Sequence, residues 1–297
     1  MKKESYINME LLSLNCAGWG WTLTNEKWET RLNKLCDYLI TNINDNTLIV
    51  ALQEVQLGGG KYLSVFEKKF PDYHIVLPYG YHNQKRSVIS MLLINKKLTK
   101  EVSITTLDDE LEDSLRYNYV TVETEVEGLC FRVLNVNIPH TSYDNSADWY
   151  KNERIALRNK YLEEIKRLSN VYAREPDLKF ICLGDFNTLP VEGDFIDSLA
   201  YSYDRTMIDA VLPAEKNIIT WHNLNTNAKN RLDYILYSVG MLTNTGVKAK
   251  FTTVDYYPIH NKFSDHALLI GGVNIKLPEN NNCLFAYPPY HCGKQGA

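Results

Sequence analysis

The feature that most narrows the folds open to this chain is a series of eight apolar, β-branched runs spread along its length. They are MELLSLNC (9–16), TLIVALQEV (47–55), SVISMLLIN (87–95), YVTVETEV (119–126), CFRVLNVNI (130–138), LKFICLGDF (178–186), DYILYS (233–238) and ALLIGGVNI (267–275). Their alternation and length predict strands. Two stretches carry a different period. Trp28, Leu32, Leu35, Leu39 and Ile43 recur at three- and four-residue spacing within 25–44, and Tyr161, Ile165 and Leu168 do so within 146–173, so each predicts an amphipathic helix. The short link between 119–126 and 130–138 predicts an antiparallel hairpin, while helices separate other strands. The class is therefore mixed α/β. No linker rich in Gly, Ser or Pro divides the chain, so one domain is expected over residues 1–275. The Pro-, Asn- and Gly-containing segment 276–297 reads as an irregular tail.

The chemically versatile residues sit where these runs begin or end. Asn15 closes the first run and Glu54 the second. His140 follows LNVNIP, Asp185 and Asn187 follow FICLG, Asp233 opens DYILYS, and Ser264-Asp265-His266 precedes the last run. Strand ends on one edge of a sheet can converge on one site. Hard oxygen donors (Glu54, Asp265, Asn15, Asp185) suit magnesium or manganese, and a histidine beside them suits metal-assisted phosphoryl chemistry. Each residue alone has a plainer reading. Glu54 can be a solvated strand end, Asp185 and Asn187 an Asx turn, Asp233 the mate of Arg231, and His266 a satisfied core histidine. Their ordered co-occurrence favours a site.

Charge and cysteine content bear on which partners fit. Lys plus Arg total 32 against 36 for Asp plus Glu, a formal charge of −4, which argues against a tight, processive grip on duplex nucleic acid. It leaves cleavage of a single phosphodiester open. Six cysteines without a CxxC pair suit reduced thiols, with Cys283 and Cys292 in the tail the one pair that gives pause. No apolar run of signal-peptide or membrane-span length is present, so a cytoplasmic location and a monomer are the expectations.

SLNCAG, LQEV, LNVNIPH, GDFN, RLDYIL and SDH, in that order over residues 9–275, resemble the endonuclease/exonuclease/phosphatase superfamily, the group with the deoxyribonuclease I-like fold. The resemblance implies a four-layer α-β-β-α sandwich, two mixed β-sheets packed face to face with helices outside, and a divalent-metal phosphodiesterase or phosphatase site at one edge. It implies metal ligation by Glu54 with Asn15 and Asp265, a water oriented and activated by Asp185 and Asn187, and His266 at the phosphate with its ring held by Asp233. Arg116 resembles a phosphate-contacting arginine, or is a solvated strand-edge residue. Two positions depart from the pattern. Asn137 stands where many members carry histidine, with His140 three residues on, so either or both line the site; and Ala17 stands where abasic-site enzymes carry aspartate. Trp221 is kept as a substrate-binding aromatic, but Asn230 ahead of RLDY disfavours abasic-site repair. Trp19, Trp21, Tyr79 and Tyr81 are open between stacking a base, covering a lipid headgroup and anchoring loops.

The implied activity is metal-dependent hydrolysis of a phosphate ester by in-line attack. A nuclease on DNA, RNA or a nucleotide, with single-stranded nucleic acid as partner, comes first. A phosphatase or phospholipase-type enzyme on an inositol, sugar or lipid phosphate is the alternative. A non-catalytic module is disfavoured, because a scaffold has no reason to keep LQEV, GDFN and SDH together.

Overall fold

The computed structural model describes residues 6–17, 27–81, 88–107, 114–126, 129–140, 148–174, 179–189, 195–210, 218–222, 228–239 and 264–276. Trp19, Trp21, Cys283, Cys292 and the tail beyond residue 276 lie outside them. One sheet runs in the order β13 (Leu269–Lys276), β1 (Tyr6–Asn15), β2 (Thr47–Gln56), β4 (Val88–Asn95), β3 (Tyr73–Val76). The other runs β5 (Thr99–Thr105), β6 (Tyr117–Thr124), β7 (Cys130–Asn137), β8 (Lys179–Asp185), β12 (Asp233–Ser238), β9 (Met207–Asp209). A small ribbon pairs β10 (Trp221–His222) with β11 (Lys229–Asn230). The last strand thus ends at Lys276, one residue past the expected domain boundary.

Both sheets are mixed. β1 and β2 are parallel, as are β7 and β8, and the remaining pairs in the two sheets are antiparallel. A parallel pair needs a crossover. Helix α1 (Trp28–Asn42) lies between β1 and β2 in the chain, and α3 (Asp148–Arg174) between β7 and β8. A short helix, α2 (Leu63–Lys69), joins α1 on the same side.

Strand alternation sorts the core into three layers. Met9, Leu11, Ile49, Ala51, Leu92 and Ile94 meet Val120, Val122, Phe131, Val133, Ile181 and Ile235 between the sheets. The alternate residues, such as Leu12, Leu14, Val50 and Leu52, face Leu32, Leu35 and Leu39 of α1 and Phe66 of α2. On the far side, Leu134, Val136, Phe180 and Cys182 face Tyr161, Ile165 and Leu168 of α3. Period 2 in the strands and 3.6 in the helices gives the four layers.

Along the inner faces the chemistry changes from one end to the other. β1 reads Met9, Leu11, Ser13, Asn15; β2 reads Ile49, Ala51, Gln53; β7 reads Phe131, Val133, Asn135, Asn137; β8 reads Ile181, Leu183, Asp185. Between the apolar layer and the strand ends lies a buried amide network. Gln53 Nε2 donates to Asn135 Oδ1 across the sheets at 2.7 Å and to Ser13 Oγ at 3.2 Å. Asn135 Nδ2 donates to Asn118 Oδ1 and to the carbonyls of Leu52 and Met91 at 3.0–3.2 Å. These cross-sheet bonds fix the stagger of the two sheets, and so the relation of the residues one step further out.

Candidate active site

The C-terminal ends of β1, β2, β7 and β8 and the N-terminal end of β12 share one edge of the sandwich. The two outer helices hold those ends in place. Arg31, buried on α1, donates to the carbonyls of Ala17 (2.9 Å) and Cys16 (3.3 Å), and Trp28 Nε1 donates to Gln56 O at 2.7 Å. The exits of β1 and β2 are thereby tied to one helical turn. On the other side, Arg154 Nε donates to His140 O at 3.0 Å, and Arg158 reaches Pro139 O, Phe186 O and the Thr188 hydroxyl. That fixes the exits of β7 and β8.

Backbone conformation marks the same edge. Among the described residues, the non-glycine positions with left-handed φ are Ala17 (47°) and Asn187 (48°), each just past a strand end, and Glu54 (52°), inside β2 two residues before its end. Such conformations are costly and collect at functional sites. Glu54 lies in a register shift between Leu52 and Val55 against β4. A bulge of this kind re-aims the side chain that sits in it.

His266 is the pivot of the constellation. Its Nδ1 lies 2.9 and 3.2 Å from the two oxygens of Asp233, and its backbone N–H donates to Ser264 Oγ at 3.0 Å. Ser264 Oγ in turn donates to Asn15 O at 2.5 Å. Burial alone would lower the histidine's pKa, yet Asp233, joined by Asp185 and Asp265, raises it well above the ordinary value. That direction favours the doubly protonated ring, in which Nε2 is a second donor.

Asp185 sits inside a cage of donors. Asn15 Nδ2 donates to Oδ2 at 2.9 Å, Asn187 Nδ2 to the same oxygen at 3.0 Å, and the Asn187 N–H to Oδ1 at 2.9 Å. The Asx turn considered from the sequence is thus present, and it belongs to the site. Burial, with Asp233 and Glu54 adding like charge, pushes the Asp185 carboxyl up to about 7 against the pull of His266 and the Asn187 N–H. A carboxylate poised there is suited to take a proton from water near neutrality.

Glu54 faces this group from the other sheet. Burial raises its pKa and Asp265 adds to that, while His266, Arg116 and a hydrogen bond from Asn15 oppose it. Two carboxylates of like sign, one of them desolvated, fit a hard divalent cation held by Glu54 and Asp265. Asn15 stands between Glu54 and Asp185 with its amide turned to both carboxylates, and its Oδ1 accepts the Ala17 N–H at 2.9 Å. Among the described residues, Asp185, Asp233 and His266 also bring ligand atoms within 4.8 Å of one another. Their oxygens and Nδ1 are already committed to each other and to amide donors, which leaves the Glu54 side the better fit.

Residues 12–266 match the sequence profile of the Endonuclease/Exonuclease/phosphatase family. The chain belongs to the endonuclease/exonuclease/phosphatase family. A search of curated proteins gave no significant match. Among solved structures, the human Nocturnin catalytic domain with bound sulfate is similar at TM-score 0.60 and 18% identity, covering 92% of this chain and 98% of that one. D. rerio TDP2 complexed with single strand DNA product is similar at 0.57 and 16%, covering 90% and 98%. ANGEL2, described as a 2',3'-cyclic phosphatase in complex with adenosine-2',3'-vanadate, is similar at 0.57 and 14%, covering 93% and 100%. At such identity these likenesses establish the deoxyribonuclease I-like sandwich.

Within this endonuclease/exonuclease/phosphatase domain, the structure gathers Asn15, Glu54, Asn137, Asp185, Asn187, Asp233, Asp265 and His266 at one edge, with Arg116 close enough to act on Glu54. Asn137 is the register partner of Asp185, and its buried carboxamide makes no hydrogen bond among the described residues. His140 is half-buried three residues on, its carbonyl held by Arg154. Arg231, the alternative mate of Asp233, is instead paired with Asp209 at 2.7 Å, both side chains fully buried. Trp221 has its indole N–H committed to Asp265 Oδ2 at 2.9 Å, so only its ring face is left for a substrate. As groups that hold the site, sequence reading passed over Trp28, Arg31, Arg158 and Thr220, and it took Ser264 only as part of the SDH motif. A cation or an indole on the core side of a helix's first turns was the available signal for the first two. Thr220 acts through a single hydroxyl and left no pattern to read, and the SDH motif gave no sign that the Ser264 hydroxyl bonds Asn15 O.

Proposed function

We propose that the protein is a phosphodiesterase dependent on magnesium or manganese that hydrolyses single-stranded nucleic acid or a nucleotide ester in the cytoplasm. The observation that carries this reading is the cross-sheet arrangement itself: a caged carboxylate (Asp185) beside a histidine paired to a second carboxylate (His266 with Asp233), facing the Glu54 and Asp265 carboxylates. When bound there, the cation supplies polarisation of a phosphate oxygen and offsets developing negative charge. Asp185 takes the proton of the attacking water, oriented through its contact with Asn187. His266 Nε2 donates to a non-bridging oxygen of the pentacovalent phosphorus, with Asp233 holding the ring in the required orientation. Asn137 turns its carboxamide to the same phosphate, His140 lines the rim of the site, and Arg116 binds a phosphate from the β6 side. Trp221 serves by fixing Asp265.

Several observations support the substrate class. TDP2 was solved with a single strand DNA product and ANGEL2 with an adenosine vanadate. The formal charge of −4 is unsuited to gripping long duplex. Among the described residues, no helix is long and apolar enough to cross a membrane. Cys16, Cys36, Cys130 and Cys182 are free thiols, as suits a reducing compartment.

The test is a substrate panel in the presence of Mg2+, with chelator as blank. It comprises a labelled single-stranded oligonucleotide, its duplex, an inositol polyphosphate and sphingomyelin vesicles. Metal-dependent cleavage of the single strand above the others is expected. Turnover of the inositol phosphate or the lipid with the oligonucleotide intact would replace this reading with the phosphatase or phospholipase one.

A further inference from the structure

On the open side of the sandwich, the edge strands β3 and β5 of the two sheets border a groove of about 720 Å³. Ile75, Leu77, Pro78, Tyr79, Tyr81 and Ile104 line it. Its size is that of a small-molecule site. Strand directions show where it leads. β3 is antiparallel to β4 and β4 to β2, so the Val76 end of β3 lies at the edge that carries Glu54. β5 is antiparallel to β6 with Thr105 opposite Tyr119, so the Thr105 end of β5 points towards the end of β6 that begins at Tyr117, next to Arg116. Asn118 Nδ2 bonds Val76 O at 3.4 Å, and Leu115 shares an apolar cluster with Leu77 and Tyr81. The groove thus opens onto the Arg116 side of the site.

At that mouth stands a hydrogen-bonded turn. The Tyr81 N–H donates to Pro78 O at 3.2 Å, and Gly80 has φ 74°. A positive φ at the third residue of a four-residue turn is the type II arrangement, which needs glycine there. Tyr79 occupies the corner with its side chain outward, 61% exposed, opposite Ile104 at 55%. A flat ring on a pre-formed turn loses little freedom when a partner stacks on it.

Resting on the nuclease reading above, we infer that Tyr79 is a stacking platform for the base of the nucleotide on the Arg116 side of the scissile phosphate, with the groove between β3 and β5 receiving that base. Base-on-aromatic stacking tolerates any sequence and requires an unpaired strand, in keeping with a chain that lacks a basic surplus. The polar groups in the lining, His74, Lys100 and Glu101, suit a heterocycle with polar edges better than an alkyl chain. Tyr79 is a specificity residue in this scheme, remote from the reacting atoms.

The test compares wild type, Tyr79→Ala and Tyr79→Phe on a single-stranded oligonucleotide and on strands of the same length lacking one base at successive positions. Tyr79→Ala is expected to raise KM roughly 5- to 100-fold with kcat little changed, and Tyr79→Phe to behave as wild type. On the strand that lacks the stacked base, wild type is expected to fall to the level of Tyr79→Ala. An unchanged melting temperature for each variant separates this from a folding defect. The inference is overturned if Tyr79→Ala keeps the wild-type KM, or if its defect is the same whichever base is removed. Wild type that cleaves no oligonucleotide but hydrolyses a lipid or inositol phosphate would bring down the nuclease reading together with the inference. Wild type that cleaves the strand while Tyr79→Ala matches it would bring down the inference alone.

Discussion

Gly184 is the position at which the site's geometry depends most on a missing atom. It precedes Asp185 on β8, pairs with Val136 on β7 and has φ 132°. A Cβ added there would lie 2.1 Å from Val136 O and 3.0 Å from Val136 C and N. That is backbone, and it lies roughly 1.4 Å inside the ~3.5 Å at which such atoms rest. Gly184→Ala must therefore part β7 from β8 just where Ile138 N donates to Asp185 O at 2.8 Å. Strain at an unfavourable φ costs about 1–3 kcal/mol. Two weakened ladder bonds add about 1 kcal/mol each. Stiffening of the unfolded chain returns about 0.4–1 kcal/mol. The net loss expected is roughly 2–4.5 kcal/mol. Urea unfolding with an unchanged slope would measure it. Gly271→Ala is the control, since its Cβ would meet Ile235 Cδ1 and Tyr237 Oη at 3.1 Å, both ends of side chains, and a cost within about 1 kcal/mol is expected. A Gly184→Ala protein as stable as Gly271→Ala would refute the reasoning.

Other outcomes follow from the same geometry. Asp233→Asn removes a negative charge that raises the pKa of both His266 and Asp185. The alkaline limb of kcat/KM, where the imidazolium is lost, and the acid limb, where the base is protonated, should both move to lower pH; limbs that stay in place would contradict the pairing. Trp221→Phe takes away the N–H that Asp265 accepts, and the metal concentration for half-maximal activity should rise about 10- to 100-fold; an unchanged metal titration would remove Asp265 from the cation site. Asp209→Ala leaves Arg231 buried without its carboxylate and should cost about 3–5 kcal/mol in denaturant unfolding; a loss below about 1 kcal/mol would show the pair to be dispensable.

Much of the fold was legible because the strands that mattered were long and apolar. The eight runs correspond to β1, β2, β4, β6, β7, β8, β12 and β13, and the periodic segments to α1 and α3. Edge strands escaped notice for a physical reason. β5, TKEVSIT, faces solvent along most of its length and so carries lysine and glutamate where a buried strand would carry valine, and β3 is only four residues. Sheet order, and the fact that β1 with β2 and β7 with β8 run parallel, depend on how crossovers close, which no local pattern records. Asp185, His266 and Glu54 stood out because each interrupts or bounds an apolar run. Gln53, Asn118 and Asn135 did not, since a polar residue inside a strand reads as solvent-facing until the opposing sheet is seen to cover it. The expected roles of Asn15 and Trp221 were shaped by residue type; the hydrogen bonds show what their polar atoms hold, Asp185 in one case and Asp265 in the other.

The most direct measurement is turnover of a saturating single-stranded oligonucleotide with Mg2+ or Mn2+ by wild type and Asp185→Asn, with binding measured on the same samples. The variant should lose about 10²- to 10⁴-fold in kcat, with affinity for the strand nearly unchanged. A variant that retains wild-type turnover, or one whose defect lies wholly in binding, would contradict the assignment of Asp185 as the base at a phosphodiesterase centre.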